Sequence, residues 1–136
     1  MKRILLFMIT IFLISCETAV VEKVDTNGEP EGPHTSAEWK IWAYSSAAPS
    51  YIAAECTVVD MDAEGNQVVL REGTNGWTAM AANPRGPADP ENGWKDPHEA
   101  MPMVGDAESF KWASAYFAGT KPGDVMEKDG LSLIHI

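Results

Sequence analysis

The residues best suited to metal chemistry lie between positions 60 and 66. Asp60, Asp62 and Glu64 place oxygen atoms at alternate positions, and a glycine stands sixth, as in the first half of a calcium-binding loop. The pattern then breaks, because the twelfth position of such a loop needs a bidentate Glu and here is Arg71. Turn-forming residues explain the segment better, so we predict a hairpin turn there and no metal site.

His98 is the best candidate for a catalytic base, because His34 lies in an acidic N-terminal segment and His135 lies at the extreme C-terminus. With Met101 and Met103 it could offer soft ligands to copper, but no second His or Cys stands at a metal-ligand spacing. No nucleophile motif, phosphate-binding loop or dinucleotide fingerprint occurs. We therefore predict no catalytic residue, no metal and no cofactor.

The aromatic residues suggest another chemistry, the stacking of rings against a sugar or an apolar ligand. All five tryptophans lie between residues 39 and 112, where they could also fill the core of a small domain. We favour the core, and we expect Trp94, in a proline-rich segment, to be the most exposed of the five. The residues proposed to contact a ligand are Arg71, Asn75, Trp77 and Trp94.

The charge balance excludes nucleic acid as a partner. The chain has 10 basic and 20 acidic residues, a net charge of -10. Binding to phosphates requires a basic patch that displaces counterions, and this sequence has none.

The N-terminal sequence predicts export and lipid attachment. Lys2 and Arg3 precede an apolar run, residues 4–14, that is too short to span a bilayer permanently. We therefore predict a signal peptide over residues 1–15. The run closes on LISC, residues 13–16, which resembles the lipobox of bacterial lipoproteins. The resemblance implies lipid on Cys16 and anchorage in the bacterial cell envelope, facing the periplasm; a cleaved signal without lipid, or an uncleaved anchor, is the alternative.

Composition divides the remaining chain into three parts. Residues 16–36 are acidic and lack aromatic side chains, which predicts a lipidated, flexible tether. Residues 37–127 hold the aromatic residues and form the predicted domain, and residues 128–136 form a tail that is disordered or artefactual. Once Cys16 is modified only Cys56 remains, so no intramolecular disulfide can form, and its strand-like surroundings favour burial.

The pattern of the domain predicts a small α+β fold. Residues 57–70 alternate as two β-rich runs around a turn, which indicates an antiparallel hairpin. A helix over Asp106–Ala118 is expected to place Phe110, Ala113 and Phe117 on one face, packed on that hairpin. Residues 37–44 fit either a helix or a strand, and the proline-rich residues 83–102 indicate a long loop.

Two segments resemble an uncharacterised family of exported bacterial proteins: SAAP at residues 46–49 and VLREGTNGWT at residues 69–78. The family implies no activity. It has cysteines where this chain has Ala79 and Val104, which implies that these two side chains lie close together. Its members continue beyond the helix, which implies that this chain is truncated at its C-terminus.

The last six residues, LSLIHI, resemble the in-frame translation of a transposase adapter used in sequencing libraries. We expect this tail to have no designed packing partner; a genuine terminal strand is the alternative. The combined expectation is an envelope lipoprotein that serves as a noncatalytic binding or structural module with an unidentified ligand or protein partner. The alternatives are a hydrolase-like or metal-binding protein that uses the loop around His98, or a truncated frame without function.

Overall fold

The computed structural model describes residues 28–134. The predicted signal peptide, Cys16 and the first part of the predicted tether lie outside this range. Among the described residues no helix is both long and apolar enough to cross a bilayer. The helices are α1 (Ala37–Ser45), α2 (Ser50–Ala53), α3 (Pro97–Ala100), α4 (Ala107–Phe117) and a 3-10 turn at Pro122–Asp124. The strands are β1 (Thr57–Met61), β2 (Gln67–Arg71), β3 (Trp77–Ala81), β4 (Pro102–Asp106) and β5 (Ser132–Ile134).

The five strands form one mixed sheet in the order β2-β1-β3-β4-β5. Strand β1 is antiparallel to β2 and parallel to β3, while β3, β4 and β5 are antiparallel neighbours. The predicted α+β class and the β1–β2 hairpin are confirmed. A hairpin with one helix is an incomplete description, because the sheet has three more strands and a second long helix, α1, packs on it.

The hairpin turn uses the oxygen atoms that resembled calcium ligands. Asp62 accepts hydrogen bonds from the backbone N–H of Asn66 (2.7 Å) and from its side-chain amide (3.0 Å). The side-chain bond is the main reason that the pKa of Asp62 lies below its usual value. Gly65 completes the turn with a φ of 83°, a conformation that glycine adopts without strain.

Helix α1 covers one face of the sheet and settles the choice between helix and strand. Ser36 caps it by accepting a hydrogen bond from the N–H of Trp39 (3.2 Å). The helix buries Trp39, Ala43 and Tyr44 completely. Trp39 and Ala43, four residues apart, share one side of the helix, and burying each of the two large rings, Trp39 and Tyr44, contributes roughly 4–6 kcal/mol of hydrophobic free energy before entropy is counted.

Contacts with the domain begin before the predicted boundary at residue 37. The Trp39 indole N–H donates to the carboxylate of Glu29 (2.8 Å), and the His34 ring stacks on Trp39 with 4.2 Å between centroids. His34 Nδ1 also lies 2.6 Å from the carbonyl oxygen of Trp94. The prediction of a flexible tether through residue 36 is therefore corrected, because partners far along the chain hold residues that could not order themselves.

Helix α4 has its predicted limits, with Asp106 as the N-cap accepting from the N–H of Ser109 (2.8 Å). The prediction of its buried face is confirmed only in part, because Phe110 and Ala113 are half-buried but Phe117 is 84% exposed. Glu108 on this helix is buried. Its carboxylate can be buried because it accepts hydrogen bonds from the ammonium group of Lys111 (2.7 Å) and from the backbone N–H of Glu127 (2.9 Å). The second bond links the start of α4 to the segment that follows the helix.

The tail contains the last strand of the sheet. Residues 132–134 form β5, and Leu133 lies opposite Val104 on β4. A free strand edge offers backbone N–H and C=O groups to any extended segment, so this pairing does not depend on a designed side-chain pattern. Residues 132–134 thus have a backbone partner in β4, and the absence of a designed packing partner stays a prediction.

Ala79 and Val104 are register partners on the antiparallel strands β3 and β4, and both side chains are fully buried. Directly opposite residues share one face and have Cβ atoms about 4.5–5.5 Å apart. The expectation that these two side chains lie close together is confirmed. With Val58 they form the centre of the sheet face beneath α1.

We predict that the double substitution Ala79→Cys, Val104→Cys in a Cys56→Ala background forms a disulfide after mild oxidation. Closing this loop stabilises a protein by on the order of 3 kcal/mol, which urea denaturation with and without reductant measures. The matched control pairs Ala79→Cys with Met103→Cys, whose side chains leave opposite faces of the sheet. If the control pair cross-links as readily as the test pair, the register is wrong.

Candidate functional site

A chain of polar side chains connects α1, β1 and the proline-rich loop. The indole N–H of Trp94 donates to the hydroxyl of Tyr44 (2.8 Å). That hydroxyl donates in turn to Asp60 Oδ1 (3.1 Å). The other oxygen, Oδ2, forms an ion pair with Lys40 Nζ at 2.6 Å. Each donor in this chain therefore meets an acceptor.

Local structure explains how these side chains meet. Lys40 and Tyr44 stand four residues apart on α1, so they lie one above the other on the same helix face. Asp60 alternates with Val58 on β1 and therefore points to the face that α1 covers. Trp94 comes from the loop, where the contact between His34 and its carbonyl oxygen holds the backbone.

A cavity of about 290 Å³ opens beside this polar chain. It lies between α1, the carboxyl ends of β1 and β3, and the proline-rich loop. Lys40 and Asp60 line it with side chains that are 23% and 20% exposed, so solvent and small solutes reach both charges. The opposite wall is apolar and is formed by Met61, Met80, Pro87 and Pro90. The cavity thus offers both signs of charge next to an apolar wall.

Trp94 lies at this site, but the prediction that it is the most exposed tryptophan is wrong. It is only 6% exposed, whereas Trp112 on α4 is 48% exposed. A tryptophan can be buried when its indole N–H has a hydrogen-bond acceptor, and for Trp94 the acceptor is the hydroxyl of Tyr44. Trp94 therefore walls the cavity rather than presenting a platform to solvent.

Arg71, another predicted ligand contact, lies elsewhere. Its guanidinium donates to the carbonyl oxygens of Ala53 (2.5 Å) and Cys56 (3.0 Å), which follow the short helix α2. Its Nη1 is buried without a partner among the described residues. Arg71 also lies 3.3 Å from the sulfur of Cys56, whose predicted burial is confirmed. Burial raises the pKa of the Cys56 thiol, and the charge of Arg71 opposes that rise.

Asn75 and Trp77 belong to the same structural unit as Arg71. The Asn75 amide donates to the carbonyl oxygen of Ile52 (2.9 Å), and its oxygen accepts from the N–H of Trp77 (3.1 Å). Trp77 is half-buried against the core. Of the four predicted ligand contacts, three thus secure the β2–β3 connection, and Trp94 alone lines the cavity.

Glycine is required where this connection crosses the start of β1. A Cβ on Gly73 would overlap the backbone nitrogen of Thr57. The N–H of Thr74 donates to the carbonyl of Glu55 (2.9 Å), and Gly76 has a φ of 76°. The LREGTNGWT segment is therefore explained by the backbone path that brings β3 to the far side of β1.

We predict that Gly73→Ala lowers the free energy of unfolding by on the order of 3 kcal/mol or prevents folding, because an overlap with backbone cannot relax cheaply. Urea denaturation followed by circular dichroism measures the loss. Gly123→Ala is the matched control, because a Cβ there meets nothing within 4 Å, and it should change stability by less than about 0.5 kcal/mol. Equal effects would contradict the close approach at Gly73.

His98 lies exposed on α3, beside Glu99. The Glu99 carboxylate accepts from the backbone N–H groups of Ala88 (3.1 Å) and Lys95 (2.6 Å), so it organises the loop. Within residues 28–134 no group of three or more His, Cys, Asp or Glu side chains is placed to hold a metal ion. His98 and Glu99 line a second cavity of about 690 Å³, and the catalytic or metal-binding alternative around His98 stays a prediction.

Sequence reasoning missed Lys40, Tyr44 and Asp60. One signal could have found them: Asp60 is the single charged residue in the strand TVVDM, and it lies on a face that is otherwise buried. A carboxylate in that position needs a partner, and the i, i+4 pair on α1 supplies two.

Comparison with protein-family models, with curated proteins and with solved structures finds no match to this chain. The family resemblance and the lipobox resemblance therefore rest on the sequence motifs themselves.

The buried hydroxyl of Tyr44 gives a pH prediction. Burial, and then the nearby charge of Asp60, raise its pKa well above the usual value. Below pH ~10 both folded and unfolded chains keep this proton, but above it only the folded chain does, so stability falls by about 1.4 kcal/mol per pH unit.

Urea denaturation at a series of alkaline pH values measures this slope. Tyr44→Phe should be less stable near neutral pH by about 1–3 kcal/mol, because Trp94 and Asp60 lose a partner, and should lack this contribution to the alkaline slope. Tyr51→Phe, at a residue 77% exposed, should keep the wild-type slope. A wild-type slope in Tyr44→Phe would show that another group is responsible.

Proposed function

We propose that this protein is a noncatalytic binding module of the bacterial cell envelope, held at the membrane by lipid on Cys16. We propose further that the cavity beside Lys40 and Asp60 binds a small zwitterion of the free amino-acid class. The single observation that carries the proposal is that the buried chain from Trp94 through Tyr44 to Asp60 ends at an ion pair inside an accessible cavity.

The charges support a ligand with groups of both signs. An ammonium group beside Asp60 and a carboxylate beside Lys40 would each find an opposite charge, and the two protein charges lie 2.6 Å apart. The apolar wall accommodates a side chain. The cavity, at about 290 Å³, lies near the lower limit of typical ligand sites and so favours a small molecule.

The same contacts favour binding over catalysis. Tyr44 is fully buried and its pKa is raised, so its hydroxyl is a poor general base near neutral pH. Neither His98 nor Cys56 lines the cavity. The lining thus supplies charge and shape, which is what a binding site needs.

A calorimetric titration with each of the common amino acids, and with glucose as an uncharged reference, tests this function. We expect at least one amino acid to bind and Asp60→Asn to weaken its affinity by tenfold or more, because the charge opposite its ammonium group is lost. Asp124→Asn removes the same charge from an exposed turn away from the cavity and should leave the affinity unchanged.

Two results would overturn the assignment. One is glucose binding more tightly than every amino acid, which would indicate a polar but uncharged ligand. The other is an equal loss of affinity in both Asp variants, which would indicate an effect of net charge alone.

A further inference from the structure

Three aromatic side chains form a continuous exposed surface on the outer face of α4, here named the aromatic ridge. Trp112, Tyr116 and Phe117 are 48%, 62% and 84% exposed. The rings of Trp112 and Tyr116 stack with 5.2 Å between centroids and 6° between planes. The ring of Phe117 meets that of Tyr116 edge-on at 5.7 Å. The helical spacing therefore builds one apolar surface rather than three isolated contacts.

The fold does not need these rings for its core. The buried residues of α4 are Glu108 and Ala115, and the core cluster of the domain contains none of the ridge. Contiguous apolar patches on a folded surface mark interaction sites. Tryptophan and tyrosine in particular are enriched where one side of a protein meets the interface of a bilayer, because their rings have an apolar body and a polar group.

The charge around the ridge differs from that of the whole chain. Residues 109–121 contain two lysines and no acidic residue, although the chain has 20 acidic residues and a net charge of -10. Lys111 is paired with Glu108, and Lys121 follows the end of the helix. Glu108 and Glu127 lie 2.7 Å and 3.9 Å from Lys111, and residues 109–121 themselves add no negative charge that would repel lipid phosphates.

The same charge disfavours a second copy of the chain as the partner. Without Lys2 and Arg3 of the predicted signal peptide, each copy would bring 8 basic and 20 acidic residues, a net charge of -12, and that repulsion opposes association. A phospholipid surface with zwitterionic headgroups carries no such net charge.

The length of chain outside the structure allows the ridge to reach the membrane. Eleven residues, 17–27, separate Cys16 from Gly28, and the twelve residue-to-residue steps span at most about 43 Å when fully extended. Glu29 lies on the α1 side, against Trp39, and α4 lies on the other face of the sheet. The three layers, α1, the sheet and α4, measure roughly 30 Å together, which is less than this span, so the tether can reach around the domain while it keeps the bilayer at high effective concentration.

We propose that the aromatic ridge of α4 inserts into the headgroup region of the bilayer to which Cys16 is anchored and so fixes the orientation of the domain on the membrane. This inference rests on the proposed lipid anchor. It adds a second, noncovalent contact that a single tether does not provide.

The test uses the full chain, purified with its lipid and reconstituted in phosphatidylcholine vesicles. Flotation of the vesicles reports the anchor, and quenching of tryptophan fluorescence by brominated phosphatidylcholine reports insertion of the ridge. We expect the wild-type chain to float and to be quenched. Trp112→Phe should remove most of the quenching, which would identify Trp112 as the inserted tryptophan.

The matched variants change exposed side chains only. Phe117→Lys should float but lose at least half of the quenching, because a charge at the most exposed ring opposes insertion. Tyr51→Lys, at another exposed aromatic residue on α2, should be quenched like the wild type. Circular dichroism checks that both variants fold.

Each remaining outcome counts against the inference. A chain that floats without quenching has an anchor but no inserted ridge. A chain that does not float has no anchor, which overturns the lipid proposal and this inference together. Cross-linked dimers that disappear in Phe117→Lys, without quenching in the wild type, would assign the ridge to a second copy.

Discussion

The hydroxyl group of Tyr44 is the constraint on which the arrangement of this domain depends. The ring is fully buried, so its hydroxyl must find partners inside the protein. It accepts a hydrogen bond from Trp94 in the loop and donates one to Asp60 on β1. Lys40 balances the negative charge of Asp60 in an ion pair. A helix, a strand and a loop are thereby fixed to one another at a single point. The cavity lies beside this point, between α1, the ends of β1 and β3, and the loop.

The remaining polar residues of the domain mainly secure backbone. Arg71 and Asn75 satisfy carbonyl groups around the short helix α2, and Asp62 satisfies N–H groups in the hairpin turn. In the sequence, Arg71 and Asn75 were candidate ligand contacts, and Asp62 belonged to the segment that resembled a calcium-binding loop. A side chain that can bind a ligand can equally bind the backbone, and a small domain has many backbone groups that need partners. This explains why a conspicuous motif and a candidate site lie in different places.

The cavity and the aromatic ridge lie on opposite sides of the sheet, since α1 and Asp60 share one face and α4 covers the other. A domain that rests on a bilayer through α4 would therefore turn its cavity away from the lipid. The proposed binding function and the proposed orientation are compatible for this reason. The proposed orientation depends on the aromatic rings of α4 lying outside the core, since the buried residues of that helix are Glu108 and Ala115.

Local chemistry determined much of this protein from the sequence alone: the α+β class, the hairpin at residues 57–71, the caps of α4 and the burial of Cys56. Each follows from neighbours in the chain, such as turn residues, capping side chains and alternating apolar residues. The tertiary structure alone decided which face of α4 is buried, that His34 packs on Trp39, and that Trp94 meets Tyr44 across fifty residues. Those outcomes depend on hydrogen-bond partners that only folding brings together, and no local pattern contains them.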